Sequence, residues 1–128
     1  MLELNVRFQE EYLRLDSLCR EFFTSKRGVS LYIEHMDATP EKESRQIKGW
    51  EHDYKSLKHM RHIRNKLAHE HDALNKRLCT ERDIEWLRHF YNRIMDETDP
   101  LTRLSDLRNQ SFFKRLWRKI KGLFGGRK

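Results

Sequence analysis

Two cysteines, two prolines and five glycines are all that this 128-residue chain holds of the residues that staple, break or sharply turn a backbone. Cys19 and Cys79 stand apart without CxxC spacing, so neither a zinc site nor a disulfide framework is indicated, and a reducing cytosol is the expected setting. So little Pro and Gly argues against a fold of short strands joined by tight turns. Also missing is an apolar run approaching the roughly 18 residues of a membrane-crossing helix. The acidic start Met1-Leu2-Glu3 lacks the basic-then-apolar order of an export signal, so the expected protein is neither exported nor membrane-spanning. A chain of this length carries one modest core, and no second catalytic domain is expected.

What is present is charge and evenly spaced apolar side chains. Phe8, Tyr12, Leu15, Cys19 and Phe22 recur at steps of three and four, predicting a helix from about Leu4 to Phe23. Thr24 to Gly28 interrupts the pattern, and Val29 to Met36 fits a short helix. Thr39-Pro40-Glu41 places a helix-starting proline after a polar cap. From there the spacing predicts one long helix, with Ile47, Trp50, Tyr54 and Leu57 as its buried stripe, continued by Met60, Ile63 and Leu67. Residues 70–79 read as a polar loop with an extra turn. Thr80 and Asp83 have the spacing of a capping box, ahead of a helix whose apolar face is Ile84, Leu87, Tyr91, Ile94 and Met95. Asp99-Pro100 restarts the chain, Leu101, Leu104 and Leu107 suggest a short helix, and Asn109-Gln110-Ser111 reads as a hinge and cap. The expected fold is all-α: a small antiparallel helical bundle of three or four main helices over residues 1–107, then a hinge and a basic amphipathic helix over 108–128.

The net charge of +7 is unevenly placed. Residues 111–128 hold Lys114, Arg115, Arg118, Lys119, Lys121, Arg127 and Lys128 and no acid, so this tail carries the whole excess. The other 20 of the 27 basic residues are matched by 20 acidic ones. Nucleic-acid binding inferred from bulk charge therefore applies to the tail alone.

The motif with most chemical content is Arg64-Asn65-Lys66-Leu67-Ala68-His69, at the expected end of the long helix. A fixed cation, an amide and an imidazole suit a phosphodiester. Through Arg64-Asn65-x-x-x-His69, the Leu67-Ala68 pair before the histidine and the all-helical setting, the chain resembles the HEPN superfamily over roughly residues 1–107. The resemblance implies a small helical bundle, often dimeric, and a metal-independent endoribonuclease without cofactor. It also implies a defence, toxin or RNA-processing setting, although the superfamily includes inactive members that serve as binding modules. Some antitoxin-paired members have Tyr two residues after the histidine; His71 stands there, so control through that tyrosine is not supported.

Elementary chemistry supports the same site. On a continuous helix, Arg64 and His69 lie about 140° apart and converge poorly. Two copies packed along this helix, with Ala68 allowing close approach, would line one symmetric cleft with both sets. His69 could then accept the proton of an RNA 2′-hydroxyl while its symmetry mate protonates the departing 5′-oxygen. Arg64 would stabilise the phosphorane and Asn65 would hold the imidazole or the phosphate, with Arg61 and Lys66 as flanking RNA contacts. Against this stands a purely structural role, since Arg, Asn and His also finish helices.

His59-x-x-His62, with His52, His69 and His71 nearby, offers no secured third ligand, so no metal site is expected. Trp50 and Tyr54 fit a core better than a base-stacking platform. In the tail, Phe112, Phe113, Leu116, Trp117, Ile120, Leu123 and Phe124 fall within about 140° of a helical wheel, with every cation outside it. Ser111 and Gly125-Gly126 would bound that helix. Three partners fit it: an anionic membrane surface, touched by Lys114, Arg115, Trp117, Arg118, Lys119 and Lys121; a protein surface, including the bundle itself; or nucleic-acid backbone. The readings left open are a homodimeric single-strand endoribonuclease, a noncatalytic helical adaptor, and a cytoplasmic protein held peripherally at the inner membrane surface by its tail.

Overall fold

The computed structural model describes residues 2–70 and 72–125, apart from the side chains of residues 74, 111–113, 120, 121 and 123–125. Six α-helices follow in order: α1 (Glu3–Phe23), α2 (Val29–Asp37), α3 (Glu41–Ser44), α4 (Trp50–His69), α5 (Glu81–Met95) and α6 (Pro100–Gly125). One 3-10 turn, Ala73–Asn75, lies between α4 and α5, and no strand occurs among the described residues. The fold is an all-α helical bundle, as the spacing predicts.

α1 is the organising element, packing against α5, α2 and α4, while α2 also meets α4 and α6. Its buried Phe8, Tyr12, Leu15 and Cys19 form one stripe, joined by Tyr32 and Ile33 of α2, Leu57 and Ile63 of α4, and Ile84 and Leu87 of α5. Burial pushes the Cys19 thiol up to about 12, helped by the charges of Asp16 and Asp99, so it behaves as a small hydrophobe. Phe22 falls off the stripe and is exposed.

The long helix begins later than the spacing predicts. α3 spans only four residues, and Gly49 takes a left-handed conformation with φ of 81°, which ends any continuous helix before Trp50. Ile47 is nevertheless buried in the intervening turn. An apolar contact made by a turn residue therefore imitates one more helical repeat.

The capping box at α5 forms as expected: the Asp83 N–H donates to Thr80 Oγ1 at 3.2 Å, and the Thr80 N–H donates to Asp83 Oδ2 at 2.8 Å. Thr80→Ala is expected to cost about 1 kcal/mol in urea unfolding; an unchanged midpoint would mean that tertiary packing alone holds this end. The buried face of α5 is Ile84, Leu87, Phe90 and Ile94, whereas Met95 is 60% exposed and Tyr91 half-buried. Phe90 replaces them because it sits between the Trp86 ring, stacked at 4.9 Å, and the edge of Tyr32 at 5.4 Å. Arg93 on the same helix grips the buried Asp53 of α4 through both guanidinium nitrogens, each at 2.9 Å.

Asp99 precedes Pro100 at the start of α6 and is fully buried. Its Oδ2 accepts from the Tyr32 hydroxyl at 2.5 Å and from the Thr102 N–H at 3.3 Å, and Tyr32 in turn accepts from the Leu101 N–H at 3.0 Å. Burial and the Asp99 charge hold the Tyr32 phenol well above its ordinary range, so it stays a donor. Thus anchored, α6 runs 26 residues without interruption. The expected hinge at Asn109-Gln110-Ser111 is helical, because Asn, Gln and Ser cost a helix only tenths of a kcal/mol (about 0.7 at most), where Gly or Pro would cost more. The two apolar patterns that flank it belong to one rod.

Candidate nucleic-acid interface

Arg64 and Asn65 lie on the exposed face of α4, one helical turn beyond Arg61 and one before Ala68. All four line an open groove of about 520 Å³ whose opposite wall is α1, through Gln9, Tyr12, Leu13, Asp16 and Arg20. It is also lined by Lys26, Arg27 and Gly28, where the chain turns from α1 into α2, and by Ser30 in the first turn of α2. Thr24, in the left-handed region with φ of 50°, makes that turn, and the Ser25 N–H closes α1 onto the Arg20 carbonyl.

Five cations thus face one acid, and that acid is already committed. Asp16 Oδ1 accepts from the Val29 N–H at 2.8 Å, so a side chain of α1 caps α2, and Oδ2 pairs with Arg20 at 3.0 Å. Gly28 is required here: a Cβ would stand 2.4 Å from both the Asp16 carbonyl oxygen and Oδ1. Arg27 pairs with Glu34. Lys26, Arg61 and Arg64 make no ion pair among the described residues, which leaves three uncompensated cations around the groove. Their field reaches the floor: burial and Asp16 raise the pKa of the Tyr12 phenol, while Arg64 and Arg61 act to lower it.

The remaining expected site residues are dispersed. His69 is the last residue of α4, exposed and absent from the groove wall. Because α4 is continuous through it, the angle of about 140° from Arg64 holds, and one chain does not converge the pair. Lys66 is half-buried, about 200° round the axis from Arg64, and is not a groove residue. The segment after His69 is tied down by Asn5 of α1, whose Nδ2 donates to the Lys76 carbonyl at 2.7 Å and the Ala73 carbonyl at 3.4 Å. No grouping of three or more metal-ligating side chains occurs among the described residues; His59 instead lies 3.5 Å from Asp83. Trp50 is buried in the core, and Tyr54 donates to Asp37 with Lys58 over its ring. In the tail, Lys114, Arg115, Trp117, Arg118 and Lys119 are exposed; His71 and the Lys121 side chain lie outside the described residues.

Sequence reasoning missed Arg20, Lys26, Arg27 and the role of Asp16. The available signal was Lys26-Arg27-Gly28, a basic pair before a glycine where the α1 pattern stops. Nothing in the spacing said that this turn would face Arg61 and Arg64.

Fold and groove together define a small all-α bundle with a basic, solvent-open channel. The chain belongs to a family of unknown function, DUF6548, whose model matches residues 6–121 and so runs from the bundle into the basic tail. No curated protein and no solved structure matches it. Among the described residues, no helix is long and apolar enough to cross a membrane.

Proposed function

We propose that this chain is a HEPN-like, RNA-acting domain whose groove between α1 and α4 takes the phosphate backbone of single-stranded RNA. The observation that carries this reading is the meeting of Arg61, Arg64 and Asn65 with Lys26, Arg20 and Arg27, around an acid already consumed as a helix cap. Guanidinium forks match phosphate oxygens two at a time.

For cleavage, two protomers meet along the exposed Asn65, Ala68 and His69 edge of α4. His69 of one takes the 2′-hydroxyl proton, and the 2′-oxygen forms a bond to phosphorus. The bond from phosphorus to the 5′-oxygen breaks, and the second His69 protonates that oxygen, leaving a 2′,3′-cyclic phosphate and a 5′-hydroxyl. Arg64 stabilises the charge that develops on the phosphorane.

A second reading, a noncatalytic RNA-binding adaptor, is favoured by one fact: His69 stands outside the groove of its own chain. End-labelled single-stranded RNA incubated in excess EDTA with the intact protein, and with Arg64→Ala/His69→Ala, separates the two. Cyclic-phosphate products from the intact protein alone support the enzyme. RNA bound by a folded dimer without cleavage, across diverse sequences, removes catalysis and leaves the adaptor.

A further inference from the structure

The unbroken α6 gives its distal half a direction. Leu104 is buried and Leu101 and Leu107 are half-buried, so these three mark the side that faces the bundle. At 100° per residue, the arc from Phe112 to Phe124 is centred about 150° round the axis from that side. Because the backbone is helical through residues 108–111, the apolar arc cannot swing back onto the surface that Leu104 occupies. Exposure agrees: every described side chain from Arg108 to Lys119 is exposed, with Leu116 43% and Trp117 58% accessible.

We propose that the distal half of α6 is an interfacial anchor that lies on an anionic phospholipid bilayer. Aromatic and aliphatic side chains would enter the boundary between headgroups and acyl chains, and Lys114, Arg115, Arg118 and Lys119 would meet lipid phosphates. Three observations select this partner. The arc holds seven large apolar residues, which backbone contact with nucleic acid would leave in water. The flanking charge is of one sign, with no acid from residue 111 onward. Finally, the bundle meets the helix on its polar side, through Leu101, Leu104 and Leu107, so an apolar face turned to the lipid leaves the bundle on the water side.

The test uses the full-length chain with sedimenting vesicles of phosphatidylcholine alone or mixed with phosphatidylglycerol, at physiological salt. Binding to the anionic vesicles is expected to be at least about tenfold tighter than to the zwitterionic ones. It should be lost both in Leu116→Glu/Trp117→Glu and in Lys114→Gln/Arg115→Gln/Arg118→Gln/Lys119→Gln, each verified as folded by circular dichroism and thermal melting. With anionic vesicles, Trp117 emission should shift to the blue, a change absent from Trp117→Phe. Intact protein left in the supernatant with anionic vesicles overturns the proposal. So does vesicle binding that survives Leu116→Glu/Trp117→Glu, which would be electrostatic adsorption alone. If vesicles are ignored while the four-glutamine variant loses RNA affinity, the tail is a nucleic-acid arm. If they are ignored while the two-glutamate variant loses self-association in the ultracentrifuge, the arc is an interface between copies.

Discussion

On the proposed reading of the groove, Arg61→Glu/Arg64→Glu is expected to weaken single-stranded RNA binding by at least about 100-fold, because two charge-assisted phosphate contacts would be lost and two repulsive charges would take their place. The same variant should flatten the dependence of log affinity on log salt by about 1.4, the share of two phosphates on a single strand. Position matters more than charge count. Lys66→Glu removes and reverses a cation on the same helix, yet Lys66 lies outside the groove, so its effect should stay within a few-fold. Arg20 and Arg27 are held by Asp16 and Glu34 and should each matter less than Arg61 or Arg64. Electrophoretic mobility shift or fluorescence anisotropy at several salt concentrations would measure all of these. Equal losses from Lys66→Glu and from the Arg pair would mean that RNA senses the overall field of the protein, and the groove assignment would fall.

Arg93→Ala should destabilise the bundle by about 3 kcal/mol or more, among the largest effects open to a single polar side chain. Its guanidinium meets both carboxylate oxygens of Asp53 at 2.9 Å, and Asp53 is 3% exposed. Truncation strands that carboxylate in the seam between α4 and α5 and removes a cation packed 5.5 Å over the Phe90 ring. Asp53→Leu/Arg93→Met should recover most of the loss, because replacing both members of a buried pair avoids the unpaired charge. Chemical denaturation of the two variants is sufficient. A cost below about 1 kcal/mol for Arg93→Ala would mean that water reaches Asp53, as at an exposed ion pair.

Much of this architecture was legible because burial imposes a period. α1, α2 and α5 follow their apolar spacing to within a residue or a few, and the Thr80 and Asp83 pair marked the start of α5. The errors share a cause: periodicity reports burial and says little about whether the backbone between two buried residues is helical. Ile47 is buried from a turn, so α3 and α4 looked like one helix, and α6 looked like two because polar Asn109, Gln110 and Ser111 separated its apolar patterns. Phe90 was passed over for Tyr91, a choice between neighbours that only the rings of Trp86 and Tyr32 decide.

The groove was half legible. Arg64 and Asn65 stood out by motif and do share one surface, whereas His69, about 140° round the continuous α4 from Arg64, does not line it. Arg20, Lys26 and Arg27 reach that surface only because α1 and α4 pack together, information that no local pattern contains. Asp16 shows the same limit. As a sequence feature it is one acid among twenty, and its tie to Val29 exists only in three dimensions.

One mechanical consequence follows from Asp99. That buried carboxylate ties the first turn of α6 to Tyr32 in the middle of α2, and from there 26 residues rise without a break, about 39 Å of helix. A helix clamped at one end behaves as a lever. Whatever holds its far end sets the height and tilt of the bundle, and with them the orientation of the basic groove. A glycine pair placed at Asn109-Gln110, at about 1 kcal/mol for each residue, would soften that lever and loosen the angular relation between its ends.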